Sequence, residues 1–123
     1  MAKISGGELL AKCLVNEGVT KVFSIPGGQL TTFVDAIARL GPKLGIEYVL
    51  THHEAACANM ADAWYRTTGS LAVCSGTVGP GATNMIGGMK PAMSDNIPLL
   101  AITPRYTPTV RILSRIPNSN STR

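Results

Sequence analysis

The chain has 123 residues, 45% of them hydrophobic and 15% charged, which suits one packed core and leaves no room for two. That balance excludes a largely disordered chain, and no apolar run approaches the roughly 20 residues a membrane-spanning helix needs. The formal charge of +4 is not spread evenly: residues 1–104 hold seven basic and seven acidic side chains, and Arg105, Arg111, Arg115 and Arg123 make up the excess. Arginines scattered along a tail do not form a basic face interleaved with aromatics, so neither nucleic acid nor membrane is expected as a partner.

The segment Met1–Ser5 runs directly into a helical pattern without the charged and apolar regions of a signal peptide, so a cytoplasmic protein is expected. Ser5 stands three residues before Glu8, a capping-box spacing, ahead of Leu9, Leu10, Cys13 and Leu14 at helical intervals, with Gly18 as a stop. Lys21–Ile25 reads as a strand running into the Pro26–Gly27–Gly28 turn. A helix over Leu30–Leu40 follows, its stripe Phe33, Val34, Ile37 and Leu40, closed by Gly41–Pro42. Ile46–Leu50 reads as a buried strand and Glu54–Thr67 as a helix ended near Gly69. Leu71–Ser75 is a further strand, followed by the glycine-rich 76–81 turn, a helix over about Ala82–Met89, and a strand over Ile97–Thr103.

Alternating strands and helices joined by short turns predict a parallel sheet covered on both faces, and right-handed crossovers make it a doubly wound, flavodoxin-like α/β domain. Residues 1–103 form that domain, which looks cut short at its last strand, and residues 104–123 are expected to be an irregular or disordered basic tail.

In open α/β sheets ligands bind outside the carboxyl ends of the strands. Three segments emerge there: Ile25–Gly28, Thr51–Glu54, and Gly76–Gly81 leading to Asn84. Each glycine cluster is either an ordinary tight turn or a place where another molecule approaches the backbone. Gly79–Pro80–Gly81 ahead of a helix could cradle a phosphate on free N–H groups, yet it fits neither GxGxxG nor GxxxxGK[ST]. Glu54 falls where a strand passes into a helix, beside Ala55, Ala56, Cys57 and Ala58. It either complements the helix macrodipole or is a poorly solvated carboxyl able to exchange a proton with a ligand nitrogen. His52 and His53 are adjacent on a strand end and lack a third ligand, and Cys13, Cys57 and Cys74 form no CxxC pair, so no metal site is expected.

The ordered set Ile25–Gly28, His53–Ala56, Ala61–Gly69, Thr77–Asn84 and Asp95–Leu99 resembles the N-terminal pyrimidine-binding domain of thiamine-diphosphate enzymes related to acetolactate synthase and the 2-keto acid decarboxylases. The resemblance covers roughly residues 3–103. It implies that Glu54 is the catalytic glutamate bonded to N1′ of the cofactor's aminopyrimidine, driving the imino tautomer that deprotonates C2 of the thiazolium. Pro26 and Gly27 then line the pyrimidine site, and Thr77, Pro80 and Asn84 belong to the loop above it.

The resemblance further implies a Mg²⁺ ion and a diphosphate held by a C-terminal domain through a Gly-Asp-Gly motif, absent from this chain. It implies a second subunit completing the site, hence a homo-oligomer, and a small 2-keto acid as substrate; some relatives also bind FAD. Ile25 stands where acetolactate synthases often carry an aromatic, Lys90–Pro91 replaces a small-residue helical stretch, and Pro104–Arg105 departs from the expected Gly-Gln turn. Truncation, a shifted reading frame or gene decay would each give such an ending. The chain alone is expected to be inactive. The competing readings are a non-catalytic regulatory or degenerate fragment of the same fold, and a flavodoxin-like phosphate- or nucleotide-binding domain using Gly79–Gly81.

Overall fold

A computed structural model describes residues 3–105 and 111–113. Helix α1 (Gly6–Asn16) starts as its sequence requires: the Ser5 Oγ accepts from the Glu8 N–H at 3.1 Å, and Gly18 takes φ +77° just past the end. Strand β1 (Lys21–Ser24) leads through a single 3-10 turn (Gly28–Leu30) into helix α2 (Thr31–Leu44). Strand β2 (Glu47–Leu50), helix α3 (Glu54–Thr68), strand β3 (Val73–Ser75), helix α4 (Pro80–Ser94) and strand β4 (Leu100–Thr103) continue the alternation. Among the described residues no helix is long and apolar enough to cross a membrane.

The sheet order is β2-β1-β3-β4, all parallel, extended at β4 by an antiparallel strand β5 (Arg111–Leu113). Successive strand residues face opposite sides and build two cores. Val22, Val73 and Ile102 face α1 and α2, packing with Leu14, Phe33, Ala36 and Ile37. Phe23, Cys74 and Ala101 face α3 and α4, packing with Cys57, Ala58, Ala61 and Met85. This is the doubly wound α/β sheet with helices on both faces.

The second core is made of small side chains, and its helices are correspondingly close. A methyl group on Gly88 would lie 2.3 Å from the Ala55 backbone oxygen, so α4 meets α3 backbone to backbone. At their far ends Arg66 clamps the two helices: its Nε donates to Asp62 at 2.9 Å and its Nη2 to Asp95 at 2.7 Å.

Two helix ends differ from the sequence expectation. Gly41–Pro42 does not close α2, which runs to Leu44 and ends at Gly45 in the left-handed region, whose N–H reaches the Gly41 oxygen at 2.9 Å. Lys90–Pro91 does not end α4 early either; the helix runs to Ser94. Both prolines sit in a last turn, where the lost i→i−4 bond and the crowding of one carbonyl fall at the helix end and do not interrupt further helical turns. The strands β3 and β4 start later than expected, at Val73 and Leu100. Within the segment expected to be an irregular tail, β5 pairs with β4; the expectation for 106–110 and 114–123 lies outside the described residues.

Two outcomes follow from this packing. Gly88→Ala should lower the urea-unfolding free energy by about 1–3 kcal/mol through overpacking, whereas Gly87→Ala, with open space around it, should raise it by about 0.5–1 kcal/mol. The buried Cys74 thiol is pushed by desolvation from its ordinary 9.0 to about 12, and burial pushes Cys57 up as well. A raised folded-state value means this contribution is intact below pH 9 and is lost as pH rises towards 12, because the unfolded thiol ionises first. The urea midpoint measured between pH 9 and pH 12 should therefore fall less in Cys74→Ala than in the wild-type chain.

Candidate functional site

The strand order reverses at β1 and β3: the chain leaves β1 for β2 on one side and returns across it to β3 on the other. Loops leaving these neighbours diverge and open a crevice at their carboxyl ends, the usual ligand position in such sheets. The Pro26–Gly28 turn follows β1, Thr51–His53 follows β2, and Gly76–Gly79 follows β3. All three candidate segments thus emerge at the same edge.

Hydroxyl side chains end the strands there. Ser24 and Ser75 are fully buried and bonded Oγ to Oγ at 2.5 Å, and the Ser24 hydroxyl also lies 3.1 Å from the Ser75 carbonyl. The Thr51 Oγ1 lies 2.8 Å from the Cys57 Sγ, and the Thr103 hydroxyl donates to the Thr77 carbonyl at 3.4 Å. These bonds fix the loop bases, so the loops begin from a rigid edge.

Glu54 is the first residue of α3, and His53 caps that helix, its Nδ1 accepting from the Ala55 N–H at 3.1 Å. Here the second histidine has a structural task, while His52 is exposed. Among the described residues no three His, Cys, Asp or Glu side chains cluster to hold a metal ion. The surroundings of Glu54 differ from the expected shell of apolar neighbours. Cys57 and Ala58 turn into the core, whereas Glu54 is half-buried and reaches back over the glycine loop.

The loop leaves room for this carboxyl. A Cβ on Gly76 would stand 3.0 Å from the Glu54 Cγ, and one on Gly81 would stand 3.2 Å from its Oε1 and 3.0 Å from the Thr77 Cγ2. The Asn84 Nδ2 donates to Glu54 Oε2 at 3.1 Å. Gly79, at φ +65°, makes the bend, and Pro80 opens α4 at its first position, where a missing N–H costs nothing. The loop glycines thus accommodate an acidic side chain at the start of α4, where a phosphate-binding loop would present open N–H groups.

Gly27 joins the first turn to the third: its Cβ would lie 2.5 Å from the Thr77 Cβ. Across the same gap the Thr77 hydroxyl donates to the Gln29 Oε1 at 3.0 Å. Gln29 was not singled out by sequence reasoning. No local sequence pattern marks it, because its partner Thr77 lies 48 residues on. Gly27, Glu54, Thr77 and Asn84 are therefore brought into one connected group. Pro26 is exposed and lines a cavity of about 450 Å³ with Gly27, Gly28, Thr31, Val34 and Asp35, so Gly27 borders both that cavity and the group around Glu54, and Pro80 is exposed at the helix start.

Residues 4–108 match the family described as thiamine pyrophosphate enzyme, N-terminal TPP binding domain. This chain belongs to that family. It is 44% identical over 103 residues to the acetolactate synthase large subunit of Haemophilus influenzae, covering 84% of this chain and 18% of that protein. It is 42% identical over 103 residues to the acetolactate synthase isozyme 3 large subunit of Escherichia coli, covering 84% of this chain and 17% of that protein. A probable acetolactate synthase large subunit of Methanococcus aeolicus is 41% identical over 100 residues, 81% of this chain and 16% of that protein. The chain thus spans less than a fifth of the length of these curated relatives.

The glycines of this domain should not tolerate substitution equally. Gly27→Ala, meeting a branched side chain at 2.5 Å, should cost about 1–3 kcal/mol in urea unfolding. Gly81→Ala meets the movable end of Glu54 and the Thr77 methyl at 3.0 Å or more, and should cost under about 1 kcal/mol in the same measurement.

Proposed function

We propose that this domain binds the aminopyrimidine half of thiamine diphosphate through Glu54, as part of an acetolactate synthase-like enzyme acting on 2-keto acids. The observation that carries this reading is the Glu54 carboxyl at the strand-order reversal, with Gly76 and Gly81 leaving space along it and one oxygen held by Asn84. An aminopyrimidine offers a flat ring and polar nitrogens, and a carboxyl oxygen beside a side-chain-free backbone suits both. When bound, the cofactor supplies the nucleophile and electron sink for decarboxylation and carbon–carbon bond formation.

The residues of this chain have narrower tasks. Glu54 holds and exchanges a proton at the ring nitrogen, a general acid–base role that depends on position before strength. Gly27 and Thr77 close the wall between the first and third loops, and Gln29 braces Thr77. In this reading the metal and the diphosphate belong to a C-terminal domain outside these residues, as the family resemblance implies. A second subunit is the further partner of this reading. Met60, Ile86 and Met93 are large, apolar and exposed on α3 and α4, which supports burial of those helices in an assembly. On its own the chain is read as inactive, and the cytoplasm as its location.

The phosphate- or nucleotide-binding alternative has less support, because the start of α4 carries an acidic neighbour at Gly81. Calorimetric titration should give heat with thiamine diphosphate and none with ATP or FMN; the reverse result would overturn the aminopyrimidine reading. In a complete enzyme carrying this domain, Glu54→Gln should keep the fold and slow deuterium exchange at the cofactor C2 by at least about 100-fold, the scale of one lost acid–base group. Wild-type exchange in that variant would remove Glu54 from the chemistry.

A further inference from the structure

We infer that Asn84 is a positioning residue: it acts through Glu54, fixing one carboxyl oxygen so that the other is presented to the ligand, and does not itself hold the cofactor. The bond joins residues 30 apart in sequence, Asn84 Nδ2 to Glu54 Oε2 at 3.1 Å, across the α3–α4 seam. It occupies Oε2 and leaves Oε1, the oxygen beside Gly81, without a hydrogen-bond donor among the described residues. A glutamate at a helix start has several rotatable bonds, and holding one oxygen removes the ordering cost a ligand would otherwise meet.

The packing makes this contact a consequence of the helix spacing. Gly88 lies one turn beyond Asn84 on the same face of α4, and Ala55 directly follows Glu54. Backbone contact between Gly88 and Ala55 therefore carries Asn84 to within hydrogen-bond reach of Glu54. Chemically an uncharged amide suits the task. A lysine or arginine would form an ion pair that competes with the ligand nitrogen, and an aspartate would repel the carboxyl. Asn84 is exposed, so its bond is not needed to satisfy a buried group and its removal should leave the fold intact.

For the ligand, this inference rests on the aminopyrimidine reading above; the Asn84–Glu54 bond stands independently of it. In the full chain labelled with nitrogen-15, the Asn84 side-chain amide protons should move upfield in Glu54→Ala, towards values of an amide in water. An unchanged amide signal would overturn the bond whatever the ligand. Binding of 4-amino-5-hydroxymethyl-2-methylpyrimidine, followed by the shifts of backbone amides, should weaken about 3- to 10-fold in Asn84→Ala with an unchanged thermal midpoint. In the Glu54→Ala background, adding Asn84→Ala should weaken it no further, because the coupling is complete. Additive losses would show that Asn84 touches the ligand and would overturn the positioning role. No binding by the wild-type chain would overturn the aminopyrimidine reading and the ligand half of this inference, with the amide signal still deciding the bond.

Discussion

Backbone-to-backbone contact between α3 and α4 sets the spacing on which the site depends. Gly88 against the Ala55 carbonyl brings the helices closer than two side chains would allow, and Arg66 holds their far ends through Asp62 and Asp95. With the seam fixed at both ends, little freedom remains for the residues at its opening. Glu54 and Asn84 meet there, and the glycines of the preceding loop leave the volume that the carboxyl fills. A wider seam would keep the fold class and both cores, but would separate the acid from the amide that orients it.

Much of the architecture was legible in the sequence because its signals are local. Ser5 caps α1, Gly18 and Gly69 stop helices in the left-handed region, and the apolar runs become parallel strands. Pro42 and Pro91 misled because their effect depends on distance from a helix end, and that end is set by tertiary contacts. Gly41 lies against the Ile46 carbonyl, which draws the chain back only after another turn. The strand β5 depends on pairing with β4 rather than on its own pattern, so a local reading could not supply it.

At the candidate site, residues could be singled out from the sequence but their mutual contacts could not. Glu54 stood out by type and place, yet its neighbours in sequence, Cys57 and Ala58, turn away into the core. The partners that define it, Asn84, Gly76 and Gly81, come from a loop and helix more than 20 residues on. His53, adjacent to His52 on a strand end and without a third ligand in the sequence, is a helix cap; Gln29 carried no motif and braces Thr77 across the two turns. Only packing turns such spacings into contacts.

Of the two sequence readings of Glu54, the helix-start reading extends to a second helix in three dimensions. As first residue of α3 it complements that helix's own dipole, and its carboxyl also reaches the opening turn of α4 at Gly81. Two helix starts therefore converge on one acidic side chain. A phosphate site would leave those N–H groups open and line them with a cation, whereas the glycine loop here closes around an acid. What this arrangement offers a ligand, in the proposed reading, is a positioned carboxyl rather than an anion cradle. The same convergence places glycine on both sides of the carboxyl: a Cβ at 76 would press on the Glu54 Cγ at 3.0 Å, and one at 81 on its movable Oε1 at 3.2 Å.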